Sequence, residues 1–264
     1  MNGKLVKVII PIYKPQLKDY ERAALENNLR LLEGFPVTFL KPEHTDMTEL
    51  HEQYPAVGMQ SVSDEWLGTK KGIQGYNEMM MSEKFYELFS DYEYILICHV
   101  DAWLFRNELV EWCRKGYDHV AAPWPMRPRY RRFPLKQYLK LKLWLKPKRK
   151  IIHCQMFGKI GNGGLSLRRV ETFRKACVDY ADTIAYYNSQ SGALYNEDLF
   201  WALEPSLKLP SVEEALKFSF DLKPELSYEL NHRQLPMACH GFNKPVRIKF
   251  WRKFNIELQS QVRV

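Results

Sequence analysis

The sequence predicts an α/β fold with a largely parallel central sheet, and three observations carry that expectation. Strand-like and helix-like segments alternate through the first half of the chain. The run Tyr92-Glu93-Tyr94-Ile95-Leu96-Ile97-Cys98 ends as continuous apolar sequence, the pattern of a strand buried on both faces of a parallel sheet. A chain of 264 residues with 45% hydrophobic and 27% charged side chains can bury a substantial core, and it shows neither an internal repeat nor a Gly-, Ser- or Pro-rich linker. One domain spanning residues 1–264 is expected.

Taken in order, residues 5–10 read as a first strand, with Pro11-Ile12-Tyr13-Lys14-Pro15 as its exit loop. Residues 20–33 read as a helix with Leu25, Leu29 and Leu32 on one face and Gly34 as the C′ residue. Residues 35–40 form a second strand, and residues 44–68 are polar and irregular, with room for a short helix. One helix is expected over 71–89, carrying Tyr76 and Asn77 near its start, followed by the apolar strand and a helix over 108–115. Residues 119–124 read as another buried strand. Ile151 begins a Gly-rich turn and strand, and helices fill 170–187 and 196–203. From Ser211 onward short elements alternate with turns.

Composition excludes several classes. No apolar run approaches the ~20 residues that span a bilayer. The N-terminal apolar run is too short for a secretory signal and lacks a small-residue cleavage site. Five scattered cysteines without CxxC spacing argue against a disulfide framework or a zinc site, and point to a reducing cytoplasm. The net charge of +8 is local: residues 127–150 hold eleven of the 39 Lys and Arg and no acid, so the remainder is mildly acidic.

Four motifs carry candidate chemistry. His99 and Asp101 follow the apolar strand at i and i+2, which on extended backbone share a face; an acid there suits a hard cation, and the same residues also suit a plain polar turn. Gly161-Asn162-Gly163-Gly164-Leu165-Ser166-Leu167-Arg168 places three glycines before an alternating strand, where glycine permits positive φ or close approach of a ligand. It is neither a P-loop nor a dinucleotide fingerprint, and a tight turn at a sheet edge is the plainer alternative. Asn196-Glu197-Asp198 sets adjacent acids that cannot share a face, so one faces a cleft while the other caps a helix, or both serve the cap. Met237-Ala238-Cys239-His240-Gly241-Phe242 sets a histidine beside a glycine late in the chain.

In this order the four motifs resemble glycosyltransferases of the GT-A fold, and most closely a little-characterised bacterial family of glycosyltransferase-like proteins. The opening Val-Ile-Ile-Pro-Ile-Tyr and the Ala-Ala-Pro-Trp strand at residues 121–124 add to the likeness, which covers residues 5–243 apart from the basic insert at about 126–150. The resemblance implies a single GT-A-like domain with a mostly parallel, Rossmann-like sheet. It implies a divalent metal, Mn²⁺ or Mg²⁺, held by Asp101 and His240, with His99 standing where the family has an acid and serving as ligand or ribose contact. It also implies Pro11 and Tyr13 beside the nucleotide; Asn162, Gly163 and Gly164 lining the cleft; Glu197 at the donor; and Asp198 as the base of an inverting reaction. The implied activity is sugar transfer from a nucleotide sugar to a glycan or glycolipid, as in polysaccharide biosynthesis. A non-catalytic module binding an anionic glycan or membrane, and a nucleotidyltransferase, are the alternatives.

The basic segment interleaves its cations with Tyr138, Leu139, Leu141, Leu143, Trp144 and Leu145, and fits both helical and two-residue spacing. Arg247, Lys249, Phe250, Trp251, Arg252 and Lys253 repeat the style. Such a surface suits an anionic membrane or a lipid-linked or phosphorylated acceptor, with nucleic acid disfavoured because no RNA- or DNA-binding signature is present. A cytoplasmic protein peripheral to the inner membrane face is expected.

Overall fold

A computed structural model describes residues 4–254 and 256. The chain runs through β1 (Lys4–Pro11), α1 (Asp19–Leu31), β2 (Val37–Pro42), α2 (Thr48–Gln53), β3 (Gly58–Val62), α3 (Ile73–Met80), α4 (Glu83–Glu87) and β4 (Tyr92–Cys98). It continues with β5 (Ala102–Leu104), α5 (Leu109–Arg114), β6 (His119–Ala121), α6 (Leu135–Leu145), β7 (Leu165–Arg169), α7 (Val170–Asp179) and α8 (Ala181–Asn188). The last elements are α9 (Glu197–Leu203), α10 (Val212–Phe218), β8 (Ser219–Phe220), α11 (Pro224–Leu230), β9 (Ala238–His240) and α12 (Pro245–Trp251).

The main sheet has the order β3-β2-β1-β4-β7-β6. Its β1–β2, β2–β3 and β1–β4 pairings are parallel, and β4–β7 and β6–β7 are antiparallel. Alternating residues of β1 serve both faces. Val6, Val8 and Ile10 pack with Leu25, Leu32 and Trp112, while Ile9 joins Met79, Phe85 and Phe173 on the other side. Each such buried side chain contributes ~1.5–3 kcal/mol, which is why the central strands tolerate so few polar residues. A smaller sheet, β5-β9-β8, sits beyond the end of β4 and packs with Phe242, Phe250 and Trp251.

Several elements differ from the sequence expectation. Residues 44–68 contain the parallel edge strand β3, whose half-exposed polar residues gave no alternation to read. The helix expected over 71–89 breaks at Ser82, which is extended (φ −103°, ψ 130°). Met79, Met80, Phe85, Tyr86 and Phe89 face one core across the break, so the apolar spacing continues where the backbone does not. Residues 170–187 are likewise interrupted, at Tyr180. No strand begins at Ile151: a 3₁₀ turn covers His153–Met156, and the strand starts at Leu165. Gly34 takes φ 87° but is not the C′ residue expected: Leu32 is the C-cap, so Gly34 lies one position beyond C′. Among the described residues no helix is long and apolar enough to cross a membrane.

Candidate active site

Parallel pairing of β1 with β4, with Ile9 opposite Ile97, makes the C-terminal ends of the two central strands emerge side by side. Pro11 and Tyr13 leave from one and His99 from the other, at the edge where open α/β sheets bind ligands. Tyr13 is half exposed there.

β4 ends at Cys98, so His99 and Asp101 lie beyond the pleated strand instead of sharing one of its faces as their spacing predicts. They lie in a turn closed by the Ala102 N–H donating to the His99 carbonyl at 2.9 Å. The turn brings them together all the same. The antiparallel β5–β9 register sets His240 opposite Ala102, and the Gly241 N–H donates to the Asp101 carbonyl at 2.9 Å. As a result His99, Asp101 and His240 offer ligand atoms within 4.8 Å of one another.

His240 is held from both ring nitrogens. Nε2 lies 3.1 Å from Asp101 Oδ1, and Nδ1 lies 3.3 Å from Asp221 Oδ1 and 3.3 Å from Asn162 Nδ2. Arg247 donates to the same Asp221 oxygen and, at 3.2 Å, to the His240 carbonyl. The Tyr76 hydroxyl lies 2.8 Å from His99 Nε2, leaving Nδ1 free of that contact. Burial alone would lower His240, but Asp101 and Asp221 outweigh it and raise the imidazole to about 10. Burial lowers His99 to about 4, with the neighbouring His240 charge adding to the effect. Burial would raise Asp101, yet His240, with help from His99 and Lys244, holds it well below the usual carboxylate range.

This donor set fits a divalent cation. Two imidazoles and a carboxylate converge, and His240 carries its second nitrogen on a carboxylate, the arrangement that orients and strengthens metal-bound histidines.

The glycine turn serves close approach, not backbone conformation: none of Gly161, Gly163 and Gly164 takes a positive φ. A Cβ on Gly164 would lie 2.1 Å from His240 Nε2, one on Gly163 would lie 2.0 Å from Glu197 Oε1, and one on Gly161 would lie 2.8 Å from the Asp198 carbonyl. Asn162 folds the turn by accepting from the Gly164 and Leu165 N–H groups at 3.0 and 3.1 Å.

The adjacent acids of α9 separate. Glu197 turns inward to a buried ion pair with Arg168 at 2.9 Å, and Arg168 also donates to Tyr86 and Ser166. Glu197 is thus neither a cap nor at the surface of the cleft. Asp198 is half-buried, accepts from the Leu199 N–H at 2.8 Å, and is pushed up to about 7 by burial and by the Glu197 charge. Tyr76, Asp221 and Arg247 complete the site without having been singled out for it by the sequence. A lone Asp221 gives no pattern to read, whereas Arg168, a cation set between Leu167 and Arg169 in a strand, was a signal for a buried partner.

The fold is that of GT-A glycosyltransferases. It is similar to the galactosyltransferase LgtC in complex with donor and acceptor sugar analogues (TM-score 0.54, 11% identity, 91% of this chain and 88% of that one). It is also similar to mouse xyloside xylosyltransferase 1 in its apo form (TM-score 0.52, 12% identity, 89% and 97%). A third likeness is to core-mannan synthase A from Aspergillus fumigatus in its Mn/GDP form (TM-score 0.50, 9% identity, 79% and 72%). No curated protein sequence matches the chain. Residues 56–240 match the model of the family described as "Protein of unknown function (DUF5672)", and the chain belongs to that family.

Proposed function

We propose that the protein is a metal-dependent glycosyltransferase that moves a sugar from a nucleotide-sugar donor to a hydroxyl of a glycan or glycolipid. The observation that carries this reading is the convergence of His99, Asp101 and His240 at the C-terminal edge of the central strands. The fold likeness supports it, since the similar structures include one bound to donor and acceptor sugar analogues and one in a Mn/GDP form.

In this reading the three side chains hold the cation, and imidazole beside carboxylate favours Mn²⁺ over Mg²⁺. When bound, the ion supplies charge neutralisation for the departing diphosphate. Lys244, 3.9 Å from Asp101 Oδ2, adds a second positive group at the same place. Pro11 and Tyr13 flank the nucleoside, and Asn162, Gly163 and Gly164 form the floor beneath the sugar. The acceptor oxygen attacks the anomeric carbon as the bond to the diphosphate oxygen breaks, the electron pair leaves with the nucleoside diphosphate, and the acceptor proton passes to Asp198. A carboxyl raised to about 7 is matched to taking up a proton near neutral pH. Direct attack with Asp198 as base inverts the anomeric centre.

The test is thermal shift against nucleoside diphosphates and nucleotide sugars with and without Mn²⁺, since a ligand of the native state raises the melting temperature. A Mn²⁺-dependent shift with one nucleotide, lost in Asp101→Ala, supports the donor site. A folded protein that shifts with none of them overturns the reading. Anomeric configuration of the product, read by NMR, tests the base: a retained product from an active Asp198→Asn enzyme removes that role.

A further inference from the structure

We infer that α6 and its flanks form a docking element for an anionic lipid bilayer. The helix contributes nothing to the core, for none of its residues is buried. Leu135 and Leu139 only half-bury against the body, and a cavity of about 700 Å³ opens beneath its C-terminal end, between Leu143, Lys146 and Arg149 on one side and Asp182 and Tyr186 on the other. The large apolar groups point outward instead: Phe133 is 81% exposed, Trp144 79%, Leu145 63%, Tyr138 57% and Leu141 52%. At ~100° per residue, Trp144, Leu141, Leu145 and Tyr138 share one arc of roughly 120° on the helix, flanked by Lys140 on one side and Lys142 on the other. An arc apolar but for Gln137 and rimmed by lysines is the arrangement that inserts at the acyl boundary while its cations reach the headgroups.

Charge selects the partner. The segment over residues 127–150 has eleven cations and no acid, and among the described residues none of those cations forms an ion pair. A second copy docking through this same face would set these unpaired cations against themselves, whereas an anionic leaflet neutralises them at ~1 kcal/mol each near the surface. The insert also springs from the walls of the site. It leaves just after Trp124, whose ring lies against Gly161, and the chain returns through the 3₁₀ turn His153–Met156 to the glycine turn beside His240. Docking therefore holds the cleft near the membrane, and, on the glycosyl-transfer reading above, it selects an acceptor anchored in lipid.

The experiment is co-sedimentation of the full chain with phosphatidylcholine vesicles with and without phosphatidylglycerol, at low and high salt. Binding is expected only to the anionic vesicles and to weaken with salt. The triple variant Leu141→Ser, Trp144→Ser, Leu145→Ser and the separate variant Lys140→Glu, Lys142→Glu are each expected to weaken it by about tenfold or more. Melting temperature reports folding in the same samples, and no variant touches the core. Failure of the wild-type protein to sediment, binding unaffected by either variant, a dimer that the serine variant disperses, or preference for nucleic acid over vesicles would each overturn the proposal. None of these readouts needs a nucleotide, so they succeed or fail independently of the donor-site test.

Discussion

Two charged clusters lie against the same glycine turn, and they are built in opposite ways. Arg168 and Glu197 form a closed cluster, each almost wholly buried, with the guanidinium shared among Glu197, Tyr86 and Ser166. His99, Asp101 and His240 form an open one, partly exposed and held from behind by Tyr76, Asp221 and Asn162, with ligand atoms converging on one another. The closed cluster satisfies its charges internally, so breaking it by removing one partner is costly. The open cluster also pairs His240 with Asp101 and Asp221, but it is partly exposed. It keeps ligand atoms of two imidazoles and a carboxylate within 4.8 Å of one another, which on the reading proposed above admits a cation. Gly163 and Gly164, adjacent in sequence, each admit one of these clusters.

The strongest way to break the contrast is Glu197→Ala, which leaves the buried Arg168 without its counter-ion. Unfolding in urea should show a loss of ~3–5 kcal/mol. Asp101→Ala should lower stability far less while abolishing any Mn²⁺-dependent nucleotide shift. A comparable loss of stability in both variants would mean that the two clusters do the same job.

Asp198 sits between the two clusters in character. Asp198→Asn should reduce turnover by ~10²–10⁴-fold with the fold intact. Because the base must be ionised, wild-type turnover should rise with pH through about 7 and then level off. Stability should move the other way. The folded carboxyl titrates above the unfolded one, so folding holds a proton that the unfolded chain releases, and stability falls as pH rises from ~4, the unfolded value, through the folded value. Asp198→Asn should flatten that slope, and a pH–stability curve unchanged by it would show that Asp198 is not the shifted group.

The glycine pair sharpens the comparison at one-residue resolution. Gly163→Ala drives a methyl into Glu197 and should cost ~1–3 kcal/mol of stability by overpacking. Gly164→Ala drives it into His240 and should instead remove metal-dependent nucleotide binding at a smaller cost in melting temperature. The smallest effect belongs to Tyr76→Phe, which deletes the hydroxyl beside His99. Mn²⁺ affinity measured by titration calorimetry should fall by about tenfold, with little change in melting temperature.

Sequence by itself determined the central strands β1, β2 and β4 and named a set of candidate site residues. The apolar run of β4 could only be buried on both faces, and the order of His99, Asp101, the glycine turn, Asn196-Glu197-Asp198 and His240 pointed to the fold that the structure has. It also fixed the concentration of positive charge at residues 127–150. Tertiary structure decided which of these residues meet and how. The two-residue spacing of His99 and Asp101 suggested a shared strand face, but their approach is made by a turn and completed by a strand from the far end of the chain. Glu197 and Asp198 are neighbours with opposite fates because successive helical residues point in different directions, and only the packed core says which direction holds Arg168. The breaks at Ser82 and Tyr180 were hidden because apolar periodicity records which side chains face the core, not whether the backbone hydrogen bonds continue between them. Asp221 and Tyr76 had no local pattern to betray them, and Arg247 was read with Phe250 and Trp251 as a basic surface, whereas both aromatics are buried and Arg247 turns to Asp221. Their roles are set by contacts between residues distant in sequence, which one-dimensional spacing does not encode.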